Sequence, residues 1–156
     1  MIYSLGTLLQ NDGRPVYLND VLPMVDGLRS YPAGESIPYG VLCCVVGGLA
    51  YRATSATLGT LAGVSVMRPL LRGTTGYATG DMVLLAARGH IVSGFADSGI
   101  LAPMTTPNVY AGATLAMRGI FTASAVAGEV FALPARTRIV QVQGLDPATC
   151  ILSVNL

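Results

Sequence analysis

The sequence has no lysine and no tryptophan. It has a single histidine, and only 11% of its 156 residues are charged. Each shortage excludes something. A typical soluble domain carries about 25% charged residues, so this chain has too few charges to coat an ordinary monomer surface. The net charge of +1 gives no electrostatic footprint for nucleic acid. One His and no CxxC pair leave no metal-ligand constellation. The longest uncharged apolar run, Val41–Ala50, is interrupted by two glycines. It falls well short of the roughly 20 residues of a spanning helix. Aromatic girdles of a membrane barrel are not expected from 7 Tyr, 3 Phe and no Trp. No basic-then-apolar leader opens the chain. The remaining expectation is a soluble protein whose surface is largely covered by other protein.

What is present fits that expectation. Hydrophobic residues make up 52% of the chain, enough for a real core in one domain of this length. All nine basic residues are Arg. Arg suits interfaces because its planar fork grips two acceptors and stacks on aromatics, although a GC-rich genome would also favour it. Cys43 and Cys44 are adjacent, so in a strand they point to opposite faces and cannot share one site. Buried free thiols are expected, with a bridge from Cys150 to one of them as the alternative.

Residues 1–30 read as an N-terminal arm and 31–156 as a single domain. Four of the eight acids, Asp12, Asp20, Asp26 and Glu35, fall in the first 35 residues. Asn11-Asp12-Gly13 is a strong turn signal. The arm residues Tyr3, Leu5, Tyr17, Leu18 and Leu22 are too apolar for a free tail and are predicted to pack on a neighbouring subunit. The alternative is that the arm adds a strand to its own sheet. Arg68 and Arg72, at the end of an acid-free stretch from Ser36 to Gly80, are the other candidate interface residues.

Short strand-like runs at about 8–12-residue spacing point to an all-β fold, a compact β-barrel or β-sandwich of short antiparallel strands with an extended N-terminal arm. No window shows sustained helical periodicity. Predicted strands include Val41–Val46, Val64–Val66, Ile120–Ser124, Gly128–Leu133, Thr137–Gln143 and Cys150–Leu156; Val109–Met117 reads as a short strand or one helical turn. Gly76–Phe95 reads as one β-hairpin: Met82–Ala87, a turn at Arg88-Gly89, and His90–Phe95. Both alternating sets of its first strand are apolar, which calls for cover on both faces. Its core repeats. Gly80–Val92 aligns without gaps to Gly128–Val140, matching Gly, Leu, Ala, Arg, Ile and Val, with Asp81 opposite Glu129. Either two hairpins occupy equivalent places in a pseudo-symmetric barrel, or similar compositions match by chance.

Catalytic motifs are lacking: no GxGxxG after a strand, no P-loop, no GxSxG. His90 and Ser93 point to opposite faces of a strand, so they cannot form a local nucleophile–base pair. His90 is expected at a turn, in a structural role. Asp81 and Asp97 are a formal pair of acids, read as solvated strand-start and turn residues. Tyr51-Arg52 and Tyr31 could stack on a sugar or base, but an interface role fits them better.

The order of several segments resembles the tailed-bacteriophage capsid cement, or head decoration, proteins. Ile37-Pro38-Tyr39-Gly40-Val41 is similar to that family's Ile-Pro-aromatic-Gly segment, and Leu61–Val66 to its Gly-Val-apolar strand. Gly76-Tyr77, Gly80-Asp81 and Val83 look like its Gly-Tyr…Gly-Asp-x-Val motif, followed by Arg88-Gly89-His90-Ile91. Ala127–Phe131 is similar to a second Gly-acid segment, and Val154-Asn155-Leu156 to its Asn-Leu ending. Residues 96–121 match nothing in it, and the first 30 residues are longer than its pattern. The resemblance implies a non-enzymatic structural protein of the virion, without cofactor or metal. It would bind the outer surface of an icosahedral capsid after assembly in the host cytoplasm. Its partners would be the major capsid protein and further copies of itself, a trimer rather than a dimer, with no direct contact to nucleic acid or membrane. A head-fibre base, tail or baseplate β-module is the alternative, and a carbohydrate-binding β-domain a more distant one.

Overall fold

The computed structural model describes residues 27–54, 61–67, 75–94, 110–112, 118–122, 130–132, 137–143 and 149–156. These are all strand, turn or extended chain, and the sheets are antiparallel. The all-β expectation holds.

The main sheet has five strands in the order β1-β7-β5-β3-β4. They are β1 (Arg29–Pro32), β3 (Leu42–Val46), β4 (Leu49–Arg52), β5 (Leu61–Ser65) and β7 (Met82–Ala86). β3 and β4 form a tight hairpin. Its two central residues, Gly47 and Gly48, have φ of 58° and 80°. That is the mirror-image turn that follows the natural twist of two strands and that glycine adopts without strain. A two-stranded ribbon, β2 (Ile37–Pro38) with β6 (Gly76–Tyr77), lies at one end of the sheet.

The sheet curls. One parallel bridge, Ala33 to Ala50, joins the chain after β1 to β4 at the opposite edge. The seam is a single bridge wide, so the described strands do not form a closed barrel. Inside the curl lies the core: Ile37, Tyr39, Val41, Cys43, Tyr77, Val83 and Leu85 are all buried. Tyr39 and Tyr77 meet edge to face with ring centroids 5.2 Å apart, and the Tyr77 hydroxyl donates to the Val66 carbonyl at 2.6 Å. That satisfies the one polar atom such a buried ring carries in. Ser65 is buried too. Its hydroxyl donates to the Pro38 carbonyl at 2.6 Å and accepts from the Val41 N–H at 3.1 Å, which ties the ribbon to β5.

A second sheet runs β12-β13-β8, with β8 (Arg88–Gly94), β12 (Arg138–Gln143) and β13 (Thr149–Asn155). A third is β10-β9-β11, with β9 (Tyr110–Gly112), β10 (Phe121–Thr122) and β11 (Val130–Ala132). The Val109–Met117 run therefore contributes a strand.

The predicted hairpin at Gly76–Phe95 is corrected. β7 and β8 do not pair with each other. β7 pairs with β1 and β5, whereas β8 pairs with β13 along its whole length, from Arg88 opposite Asn155 to Gly94 opposite Thr149. Only Ala87 separates the two strands. Gly89, with φ of 131°, lets the chain bend and pass from one sheet into the next instead of folding back. His90 consequently sits within β8, opposite Ser153, and not at a turn. The need for cover on both faces of β7 is met only in part. Val83, Leu85 and Ala86 are buried, but Leu84 is half-buried and Met82 is 47% exposed.

The echo is likewise not a pair of hairpins. β11 pairs with β9, and β12 with β13. The aligned residues nonetheless reach equivalent places. His90 and Arg138 both face Ser153, and Ile91 and Ile139 both face Leu152, from opposite sides of β13. The equivalence ends at a bulge between Ile139 and Gln141.

Candidate functional site

Two features of the described surface combine charge, aromatic rings and exposed apolar groups.

The first is a polar clasp on the edge of the main sheet. An edge strand presents N–H and C=O groups that could pair with a stranger. Here two outward groups of β4 are occupied. The Ala50 carbonyl accepts from the Gly34 N–H at 2.9 Å, and the Arg52 N–H donates to Glu35 Oε1 at 2.7 Å. The other oxygen of Glu35 accepts from Arg118 Nη2, also at 2.7 Å, and the Arg118 side chain is 20% exposed. Arg52 Nε in turn donates to the Arg118 carbonyl at 2.8 Å. One carboxylate thus serves a sheet edge and a guanidinium that lies far along the chain. Partial burial, then the like charge of Arg118, pull the Arg52 pKa below its ordinary value, while Glu35 opposes the shift. Arg52 stays charged, because the ordinary value is so high. The buried Arg118 Nε–H has no hydrogen-bond partner among the described residues. Beside the clasp, the Tyr51 ring lies against the backbone of Gly34, where a Cβ would strike it.

The second feature is a groove of about 480 Å³ at the end of the curled sheet away from the ribbon. Tyr31, Val45 and Ala62 line it and also pack on the core. Gly27, Arg29 and Arg88 line it too, and no acidic side chain does among the described residues. Exposed large apolar residues gather at this end. Leu28 is 47% exposed and lies between two lining residues. Val46 and Leu49, at 46% and 36%, face each other beside the hairpin turn, next to Val45. Tyr31, expected from the sequence in an interface or rim role, is half-buried and lines the groove.

Of the residues singled out from the sequence, Tyr3, Leu5, Tyr17, Leu18, Leu22, Arg68 and Arg72 lie outside the described residues, as does Asp97. Asp81 is exposed and serves a turn: its Oδ2 accepts from the Ala78 N–H at 2.9 Å, and its carbonyl from the Ala33 N–H at 2.8 Å. Ser93 and His90 face different residues of β13, Cys150 and Ser153. Cys43 and Cys44 are buried free thiols. Burial and the neighbouring Cys44 push the Cys43 pKa far up, which removes any nucleophilic role. Among the described residues no cluster of three His, Cys, Asp or Glu could hold a metal ion, and no helix is long and apolar enough to cross a membrane. Glu35 and Arg118 escaped the sequence reading, since 83 residues separate them. The one visible hint was Glu35 standing directly before the acid-free stretch.

No protein-family model matches this chain, and no curated protein matches it in sequence.

Proposed function

We propose that this chain is a structural virion protein that decorates and cements the outer surface of an icosahedral phage capsid, bridging neighbouring major capsid protein subunits. The observation that carries the reading is the shortage of charge, 11% of residues, with nine Arg and no Lys. Such a surface needs protein cover. The ordered series of motifs says which class of cover. The exposed Leu28, Val46, Leu49 and Met82 and the all-β architecture agree with it.

The mechanism is mechanical. Packaged DNA pulls capsomer edges apart. A decoration oligomer across an edge adds buried contact that must be lost before the shell opens. Many copies act at once, so modest affinity per site sums to a large effect. The chain acts as a homo-oligomer, a trimer in preference to a dimer, with no enzymatic step and no cofactor. A different virion module, such as a fibre base or baseplate domain, is the second reading, favoured by the same exposed apolar residues.

The test is thermal. Shells stripped of this protein are expected to burst at lower temperature than decorated ones, and adding the purified chain back restores them. Equal bursting temperatures reject the cement role. Retention on tails or fibres but not on shells selects the second reading.

A further inference from the structure

The groove at the open end of the main sheet has the chemistry of a docking site. Its floor is apolar, from Tyr31, Val45 and Ala62. Its cations are Arg29 and Arg88, with no acidic side chain among the described lining residues. Three of the four large apolar residues exposed on the described surface, Leu28, Val46 and Leu49, cluster at this end. An occupant that fits must be apolar in the middle and acidic at its flanks.

The chain carries such a segment. Asp20 and Asp26 bracket Val21-Leu22-Pro23-Met24-Val25. Residues 1–26 hold three acids, Asp12, Asp20 and Asp26, against one Arg, Arg14. The described chain starts at Gly27, on the wall of this groove. The segment is therefore tethered where the groove opens. Contact between two copies at this end brings each one's segment to the other's groove.

We infer that the groove receives the Asp20–Asp26 segment of a neighbouring copy, with Asp20 and Asp26 meeting Arg29 and Arg88 and Val21–Val25 covering the apolar floor. The exchange is reciprocal in a two-fold pair and cyclic in a three-fold ring, both of which close. This rests on the reading of the chain as a self-associating component, and it assigns the surface through which that occurs.

The experiment uses the full chain in analytical ultracentrifugation at micromolar concentration. Wild type is expected to be oligomeric. R29E/R88E and D20R/D26R, each reversing one side of the contact, are expected to raise the dissociation constant at least about tenfold, because like charges then face each other. The quadruple variant, with both sides reversed, regains wild-type association. In a two-fold pair a mixture of the two double variants does so too; in a three-fold ring, where one of the three contacts stays mismatched, the mixture associates more tightly than either double variant alone but less tightly than wild type. Thermal melting is expected to show all three variants folded. A monomeric wild type overturns the inference, as does an oligomer that survives either double reversal. Failure of the quadruple variant to reassemble, or of the mixture to associate more tightly than either double variant alone, overturns it as well, and the mixture excludes a segment docked in its own groove. Shell binding is measured separately, so loss of the cement role and loss of this contact are distinguishable.

Discussion

Replacing Glu35 by Ala removes two charge-assisted hydrogen bonds at once: one from the Arg52 N–H and one from Arg118 Nη2, both at 2.7 Å. Hydrogen bonds to charged groups contribute about 1.5–3 kcal/mol each. The paired side chains are 20% and 24% exposed, so solvent screening places each nearer the lower end. The summed loss is about 2–4 kcal/mol. For a domain of this size each kcal/mol lowers the melting temperature by roughly 2–4 °C, so a drop of roughly 5–12 °C is expected. Glu35→Gln keeps an acceptor for the Arg52 N–H and loses the ion pair, so it should cost about half as much. The assay is urea unfolding followed by circular dichroism, with a double-mutant cycle between Glu35→Ala and Arg118→Ala. A coupling of at least about 1 kcal/mol is expected for groups in direct contact. The variant should also aggregate more readily on heating, because the edge of β4 loses a guard. A loss below about 0.5 kcal/mol for Glu35→Ala, the range of ordinary surface substitutions, would refute the view of the clasp as a structural tie.

Three further outcomes follow from single contacts. Gly119→Ala and Gly47→Ala both place a side chain at positive φ, 74° and 58°, but a Cβ at Gly119 strikes the Leu42 carbonyl whereas one at Gly47 meets open space. Gly47→Ala should cost about 1 kcal/mol and Gly119→Ala clearly more; equal losses in chemical denaturation would show that the close approach is unimportant. Ser65→Ala leaves the Val41 N–H and the Pro38 carbonyl without their shared hydroxyl, an expected loss of about 2–3 kcal/mol, and a melting temperature unchanged from wild type would contradict it. Burial raises the folded-state pKa of Cys43 above its ordinary 9.0. The native state then holds its proton where the unfolded state has lost it, so stability is intact below pH 9 and falls as pH rises beyond it. Cys43→Ala should flatten that fall, and an identical slope in the variant would exclude the thiol as its source.

The strands were legible where one sheet buries them on its own terms. Val41–Val46 is apolar at every position, and β3 occupies Leu42–Val46 with Leu42, Cys43 and Cys44 fully buried. The Gly-Gly that follows it is a hairpin signal in its own right, and φ values of 58° and 80° realise it. Partner choice was far less legible. Arg88-Gly89 carries a weak turn signal, and local sequence cannot weigh a two-residue fold-back against seven register pairs with a strand at the far end of the chain. The long-range partner wins because it satisfies the backbone of β8 along its full length. The clasp was hidden for the same reason. Nothing near Glu35 announces Arg118, and nothing near Arg118 announces Glu35.

The echo shows what sequence repetition does encode here. Gly80–Val92 and Gly128–Val140 share a glycine, an acid, an apolar strand and an Arg, which invites the reading of two like hairpins. In the fold, each is instead a strand in one sheet followed by a strand in another. The second strands, β8 and β12, lie on either side of β13, with Ile91 and Ile139 opposite the same Leu152. A chance match of composition carries no register, yet these two segments agree in register until the bulge after Ile139 adds a residue to β12. The repeated unit is thus a sheet-to-sheet crossing, and β13 is the strand that both crossings use. That makes β13 the element on which the C-terminal sheet depends. A proline at Ile151 removes the N–H from a strand bonded on both sides. It should unfold the β12-β13-β8 sheet, seen as fast amide exchange at Ile91, while Val64 in the five-stranded sheet stays protected. Retained protection at Ile91 would show that β8 is held by something other than β13.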